Sequence, residues 1–212
     1  MRIDIVSDVA CPWCAVGLNS LELALQKIAD EIPVELHFQP FELNPVMDFA
    51  GVDSTEYLQK KYGMSKEQLA QGRLNLRQRG TDVGFQFGSG NRVWNTFHAH
   101  RLMHWAGLQT LPDVQRKLKH ALLEAYHGEG LNTANPEVLV ALAVKVGLNE
   151  KAARDVVNSD IYTEEVRQAE KYWQQMGINS VPSFIINEKH LISGGQPPDL
   201  FEQALRNIAE QG

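Results

Sequence analysis

The two cysteines of this 212-residue chain lie three positions apart, in the motif Cys11-Pro12-Trp13-Cys14. Two cysteines placed at random would have this spacing in roughly one case in a hundred, and the spacing suits a redox dithiol. Before the motif, residues 2–7 are typical of a short strand. After it, apolar residues recur at helical spacing, namely Leu18, Leu21, Leu25 and Ile28. The chain is therefore predicted to pass from a strand into a helix at the two thiols.

The start of this helix has chemical consequences for the thiols. Proline is favoured at the first helical position because its missing N–H would be unpaired there, so Pro12 at that position makes Cys11 the N-cap. The unpaired N–H groups and the helix dipole then favour a thiolate on Cys11, and the N–H of Cys14 is expected to donate to the Cys11 side chain. Because residues three apart share a helix face, Cys11 is predicted to be the nucleophile and Cys14 the resolving thiol.

Two other interpretations of the cysteine pair are weaker. A structural zinc site needs about four ligands, and the sequence contains no second cysteine pair. His100 and His104 have the spacing of a zinc pair, but the third ligand is missing, so no metal is predicted. Inert buried thiols are the second alternative, and a proline-flanked helix start is an unusual place for them.

The composition and the start of the chain indicate which partners are unsuitable and where the protein is located. A formal net charge of −6 argues against nucleic acid or an anionic membrane as the main partner. The strand pattern begins at Arg2, which leaves no room for a secretory signal, and no apolar run is long enough to span a bilayer. We therefore expect a cytoplasmic protein, and in that compartment a dithiol is more often transient and catalytic than structural.

Strand patterns occur near both ends of the chain. Alternating apolar residues at 34–38 predict a second strand, which completes a βαβ unit. Near the C-terminus, residues 183–187 and 191–193 predict a hairpin, and 199–208 a closing helix. The intervening residues number about 140 and are mostly helical in pattern, far longer than an ordinary crossover. This predicts an α/β fold of the form βαβ…ββα with a large inserted all-helical subdomain. The predicted βαβ…ββα domain comprises residues 1–43 plus 178–212, and the predicted insert comprises residues 44–177.

Local signals predict several helix ends within the insert. Ser65 with Gln68 forms a capping box, Asn95 is a second cap, and Asn135 precedes a helix that starts with Pro136. Glycines predict helix ends at Gly80 and Gly107. Later helices are predicted at 150–157 and 163–176, and the Gly-rich segment 81–94 is predicted to be an ordered loop.

The order of these motifs resembles a known family. The matching segments are Asp8-Val9-Ala10-Cys11-Pro12-Trp13-Cys14, Phe41-Glu42-Leu43-Asn44-Pro45, Asn95-Thr96 with Ala99-His100-Arg101-Leu102, Ser180-Val181-Pro182-Ser183-Phe184 and Gly194-Gly195-Gln196. Together they resemble the DsbA-like thioredoxin-fold family, and within it the FrnE-type subgroup. The resemblance spans nearly the whole chain.

The resemblance implies how the site is built. It implies that the Val181–Pro182 peptide bond is cis and packs opposite Cys11, which leaves the backbone of Val181 free to pair with an extended substrate chain. Residues from the shared segments are candidates for lining the cleft, namely Asn44, Asn95 and His100. No cofactor is expected beyond the dithiol, although glutathione is a candidate co-substrate.

The sequence thus predicts a thiol–disulfide oxidoreductase that reduces or isomerises protein or small-molecule disulfides, with electrons from a soluble thiol system. Trp13 cannot donate positive charge to the dithiol as a histidine could, so we expect a less oxidising dithiol than in the strongest periplasmic oxidants. The alternative is a glutathione-dependent isomerase or transferase, related to kappa-class enzymes and 2-hydroxychromene-2-carboxylate isomerase, in which Ser7 would activate the glutathione thiol. A chaperone-like protein with incidental thiols is a third class, and the oligomeric state is left open.

Overall fold

The centre of the fold is a four-stranded sheet. The computed structural model describes residues 1–90 and 92–211. Strand β1 (Arg2–Ser7) runs parallel to β2 (Glu35–Pro40) and antiparallel to β5 (Ser183–Ile186), and β6 (His190–Ser193) pairs antiparallel with β5. Both ends of the chain therefore share one sheet.

Helices α1 (Pro12–Ile28) and α9 (Pro198–Gln211) pack against this sheet. Their apolar faces meet inward residues of β1 and β5 in one core, with members Ile3, Ile5, Leu18, Leu21, Phe184, Phe201 and Leu205. The rings of Phe184 and Phe201 meet edge to face, with centroids 4.8 Å apart. The predicted α/β fold is confirmed, with a βαβ unit at the start and a ββα unit at the end, and the arrangement is thioredoxin-like.

Helices occupy most of the chain between β2 and β5. They are α2 (Ser54–Tyr62), α3 (Lys66–Asp82), α4 (Phe97–Gly107), α5 (Val114–Leu123), α6 (Pro136–Lys145), α7 (Glu150–Val157) and α8 (Thr163–Gln175), and a π-helical segment (Glu124–Glu129) continues α5. They enclose a second core around Leu102, Leu118 and Leu139, which also includes Val9 from the loop before α1. In the described part of the chain no helix has the length and apolarity needed to cross a membrane.

Several predicted helix ends are confirmed. Ser65 and Gln68 form both hydrogen bonds of the capping box at the start of α3. The Asn135 side chain accepts from the N–H of Glu137 at the start of α6, and α4 ends at Gly107. These ends were predictable because the groups that cap them lie within three residues of the helix terminus.

Two predicted ends are shifted. Helix α3 continues past Gly80 to Asp82. A Cβ at Gly80 would lie 2.6 Å from the Phe87 ring, so glycine is needed there for space rather than for ending the helix. The N-cap of α4 is Thr96, although the Asn95 side chain still accepts from the N–H of Phe97 at 2.8 Å.

The insert is not all-helical, contrary to the prediction. Strands β3 (Val52–Asp53) and β4 (Arg92–Val93) form a short antiparallel pair, and the Arg92 guanidinium donates to the carbonyls of Ala50 and Gly51 at 2.9 Å each. Two-residue strands are too short to leave an alternating pattern in the sequence. Residue 91, in the predicted loop 81–94, lies outside the described residues. The boundaries of the two subdomains stay a prediction.

Arg101 on α4 is the largest charged side chain in the interior, with 1% of its surface exposed. Its guanidinium donates to the main-chain oxygens of Val156 at 2.8 Å and Ile161 at 3.0 Å, and also to that of Ser159. These carbonyls lie at the end of α7 and in the turn that follows, where the helix provides no partners of its own. Arg101 therefore joins α4 to α7 through hydrogen bonds that require the several N–H donors of a planar guanidinium.

Replacing Arg101 by lysine should lower the free energy of unfolding by about 2–4 kcal/mol, because an ammonium cannot satisfy this set of buried carbonyls. Urea denaturation followed by circular dichroism measures the loss. Arg73→Lys is the control, since Arg73 is exposed on α3, and it should change stability by no more than about 0.5 kcal/mol. Equal losses in the two variants would contradict the proposed role of Arg101.

Candidate active site

The dithiol lies where the loop after β1 enters α1. Cys11 is the N-cap, with extended backbone angles of φ −88° and ψ 111°, and Pro12 occupies the first helical position. The N–H of Cys14 donates to the main-chain oxygen of Cys11 at 3.0 Å. The strand-to-helix transition predicted at the thiols is confirmed.

The predicted hydrogen bond from the Cys14 N–H to the Cys11 side chain is wrong. The Cys11 side chain makes no capping bond, because the Cys14 N–H is engaged by the Cys11 carbonyl and sulfur is a weak acceptor. The Cys11 Sγ lies instead 3.5 Å from the main-chain oxygen of Val181, which is 170 residues away in sequence. The outer thiol therefore faces the segment that leads into β5.

Val181 reaches Cys11 because β5 begins close against α1. The Val181–Pro182 peptide bond is cis. A Cβ at Gly17 would lie 3.0 Å from both the Pro182 and Phe184 rings, so only glycine lets the helix and the strand approach this closely. The resulting contact brings the Val181 main chain beside the dithiol.

Trp13 forms the solvent side of the motif. Its side chain is 39% exposed, and its main chain packs against Gly195, where a Cβ would lie 3.2 Å from the Trp13 oxygen. The Gly194 N–H donates to the Pro182 oxygen at 2.8 Å, and Arg79 of α3 donates to the Gly195 oxygen at 3.0 Å. The loop after β6 is therefore held against the dithiol from the sheet and from the insert.

The two sulfurs differ in their surroundings. Both residues are buried, with Cys11 4% and Cys14 2% exposed, and burial raises the pKa of the Cys14 thiol well above the ordinary value. The hydrogen bond with the Cys11 side chain raises the Cys14 pKa further, whereas the positive charge of Lys119 opposes the shift. An inner thiol that keeps its proton does not compete for the first attack on a substrate, which suits a resolving role.

A buried carboxylate lies three residues before Cys11. Asp8 accepts from the N–H of Leu43 at 2.8 Å and from that of Ala10 at 3.2 Å, and it lies 3.2 Å from Nε2 of His100. Burial would raise the Asp8 pKa, but the His100 hydrogen bond and charge hold it below the ordinary value. Asp8 therefore ties the dithiol loop to the segment after β2 and to α4.

The three cleft candidates occupy different places. His100 is buried beneath the dithiol loop, where it contacts Asp8. Asn95 is also buried and donates to the Met47 oxygen at 2.8 Å, which positions the segment after β2. Asn44 is half-buried, and its main-chain oxygen accepts from the Met47 N–H at 3.1 Å. Among the described residues none of the three hydrogen-bonds either sulfur, and their role in lining the cleft stays a prediction.

Comparison with known proteins agrees with this geometry. Residues 2–206 match the family described as DSBA-like thioredoxin domain. The chain belongs to this family. Its members are thiol–disulfide oxidoreductases.

Similar solved structures place the chain within this DsbA-like fold. A probable DsbA oxidoreductase from Streptomyces coelicolor is 32% identical and superimposes with a TM-score of 0.92, over 100% of this chain and 91% of that chain. A 2-hydroxychromene-2-carboxylate isomerase is 16% identical, with a TM-score of 0.74, over 100% and 97%. Cytosolic disulfide reductase DsbM from Pseudomonas aeruginosa with GSH is 15% identical, with a TM-score of 0.69, over 99% and 100%. The last two show the fold alone.

Sequence patterns assigned no role at this DsbA-like site to Asp8, Lys119 or His127. His127 lies on the π-helical segment and donates from Nε2 to the Val9 oxygen at 2.8 Å, and burial lowers its pKa to about 4. Lys119 on α5 is buried behind the thiols. The sequence held one indication that Lys119 is buried, because it shares helical spacing with the buried residues Leu122 and Tyr126.

The Asp8 carboxylate should make stability depend on pH. Its pKa is lower in the folded protein than the ordinary value of about 3.9, so ionised Asp8 stabilises the fold above that pH, and the contribution is lost as the pH falls through the folded value. Asp8→Asn should therefore be less stable than the wild type at neutral pH, and the difference should shrink below about pH 4. Urea titrations at a series of pH values measure it.

Asp30→Asn provides the control for this measurement. Asp30 is exposed after α1, so its replacement should change the free energy of unfolding by no more than about 0.5 kcal/mol. A difference between Asp8→Asn and the wild type that grows on acidification would show that the carboxylate is not stabilising in its ionised form.

Proposed function

We propose that this protein is a thiol–disulfide oxidoreductase that reduces or isomerises disulfides, with Cys11 as nucleophile and Cys14 as resolving thiol. The observation that carries the proposal is the position of the Cys11 sulfur at the N-terminus of α1, beside the Val181 main chain, with the buried Cys14 thiol three residues later in the same helix. A helix N-terminus favours negative charge on the outer sulfur.

The reaction proceeds through a mixed disulfide. The Cys11 thiolate attacks one sulfur of the substrate disulfide, the substrate S–S bond breaks, and the departing substrate sulfur takes a proton from solvent. Cys14 then loses its proton and attacks the Cys11 sulfur, so that the Cys11–substrate bond breaks and a Cys11–Cys14 disulfide forms. The substrate gains two electrons and the dithiol loses them. Two equivalents of a soluble thiol restore the dithiol by the reverse exchange and are themselves oxidised to a disulfide.

Exposed apolar side chains in the motif and in the segment after β2 suit an extended polypeptide substrate. Trp13 is partly exposed, and the segment anchored by Asp8 carries Val46 and Phe49, both exposed. Apolar groups at a surface of this kind favour an unfolded or flexible protein chain over a small polar disulfide. Val181 offers a main chain with which such a substrate can pair as an added strand.

The proposal also covers the subgroup of the family, the location of the protein and the source of electrons. The shared segments and the Cys11-Pro12-Trp13-Cys14 motif support a place in the FrnE-type subgroup. A cytoplasmic location and a glutathione-type electron donor are consistent with the DsbM structure, which is described as a cytosolic disulfide reductase with GSH. No cofactor beyond the dithiol is part of the proposed reaction.

The alternative of a glutathione-dependent isomerase is less well supported by the site. Ser7, the proposed activating residue, is buried at the end of β1, and its hydroxyl lies away from solvent. The residue at the helix N-terminus, where a thiolate would be stabilised, is Cys11 rather than a serine.

Cysteine variants test the division of roles. Cys11→Ser should abolish reduction of insulin disulfides, because no nucleophile remains at the helix N-terminus. Cys14→Ala should accumulate mixed disulfides on Cys11, which mass spectrometry of the trapped adducts would identify. Retained turnover in Cys11→Ser would refute the assignment. Glutathione conjugation that persists in a variant with both cysteines replaced by serine would favour the isomerase or transferase alternative.

Trp13 should keep the dithiol only moderately oxidising, because tryptophan supplies no positive charge to stabilise the thiolate. Equilibration with glutathione redox buffers should give a reduction potential clearly below about −120 mV. Trp13→His should raise the potential, since a histidine can place positive charge beside the sulfur. A wild-type potential near about −120 mV would contradict this prediction.

A further inference from the structure

Lys119 brings a charged group from the insert into the interior behind the dithiol. Its side chain is 2% exposed, and burial lowers its pKa. Among the described residues its ammonium has no hydrogen-bond partner, and the charges that oppose the effect of burial are those of Cys14, Asp8 and Cys11, in that order. Lys119 therefore lies within the reach of charges on both cysteines and on the Asp8 carboxylate.

A cavity adjoins Lys119. It has a volume of about 290 Å³ and lies beside β2, between the sheet edge and helices α4, α5 and α8. Lys119 and His100 line its inner end, whereas half-buried His37 and His104 and exposed Leu108 also line it. The cavity thus extends from the groups beneath the dithiol to the protein surface, and it is large enough to hold several waters.

We propose that Lys119 is a positioning residue for the resolving step, in which its ammonium stabilises the thiolate of Cys14 and the released proton leaves through water in this cavity. The inference rests on the proposed function, because it concerns the second of the two exchange reactions. It adds a residue from the helical insert to a dithiol that is carried by the sheet.

The charge balance of the step supports this role. When the mixed disulfide is present, Cys14 must give up its proton to become the attacking group, and a buried anion without a counter-charge is strongly disfavoured. The Lys119 ammonium supplies the counter-charge, and a water in the cavity takes the proton. The new Cys11–Cys14 bond then forms, the Cys11–substrate bond breaks, and the substrate sulfur leaves with the electron pair.

Other titratable groups also face Lys119. They are Asp8 in the loop before α1, His127 on the π-helical segment, His100 and His104 on α4, and His37 on β2. Burial lowers the pKa of His104 and that of His127, so neither supplies positive charge near neutral pH. Of the charges that act on Cys14, that of Lys119 favours the thiolate, whereas that of Cys11 opposes it.

The test separates the two exchange reactions. Reaction of the reduced protein with the aromatic disulfide DTNB releases one coloured thiolate when Cys11 attacks and a second when Cys14 resolves. In stopped-flow measurements, Lys119→Met should slow the second release about tenfold near pH 7 and shift its pH dependence upward, whereas the first should change less than about threefold. Lys119→Arg, which keeps the charge, should restore the second rate to within about threefold of the wild type.

Lys117→Met is the matched control, because Lys117 lies exposed on the same helix, and it should leave both releases unchanged. An unchanged second release in Lys119→Met would overturn the inference while leaving the proposed function intact. Absence of both releases in the wild type would instead refute the proposed function.

A measurement on the wild type covers the case in which the methionine variant does not fold. Oxidation of the dithiol leaves no Cys14 thiol that can ionise as the pH is raised, so the Lys119 ammonium should lose its proton at a lower pH in the disulfide form than in the dithiol form. An NMR titration of the lysine side chains in both forms measures this shift. Identical Lys119 titrations in the two forms would overturn the inference.

Discussion

The buried Asp8 carboxylate joins the parts of the molecule on which the dithiol depends. It accepts hydrogen bonds from the dithiol loop and from the segment after β2, and it contacts His100 of the insert. A buried charge is tolerated only when it is satisfied in this way. The need to satisfy one carboxylate therefore fixes the dithiol loop relative to both the sheet and the helical insert.

The insert does more than cover the sheet. Its helices supply Lys119, whose charge acts on Cys14, and His127, which donates to the Val9 oxygen in the dithiol loop, while the segment before β5 supplies Val181 at Cys11. The two cysteines thus experience different surroundings although they are one helical turn apart. Both are buried, but the charge of Lys119 acts on Cys14, whereas a main-chain carbonyl and the helix N-terminus act on Cys11.

Much of the local structure could be predicted from neighbouring residues. Pro12 identified the first position of α1, the Ser65 capping box identified the start of α3, and the alternating pattern at each end of the chain identified the sheet strands. The β3–β4 pair was missed because two-residue strands carry no periodic signal. The prediction of a helix end at Gly80 was wrong because the glycine is there to leave room for the Phe87 ring, which lies beyond the helix.

The sequence by itself determined the dithiol, its place at a helix N-terminus and the α/β class, because these depend on spacing, capping and periodicity over a few residues. Only the tertiary structure decided that the Cys11 sulfur faces Val181 rather than the Cys14 N–H, and that Asp8 and Lys119 lie beneath the thiols. Those contacts join residues about 35 to 170 positions apart along the chain, for example Asp8 with Leu43 and Cys11 with Val181. Packing of the insert against the sheet creates them, and no local pattern records that packing.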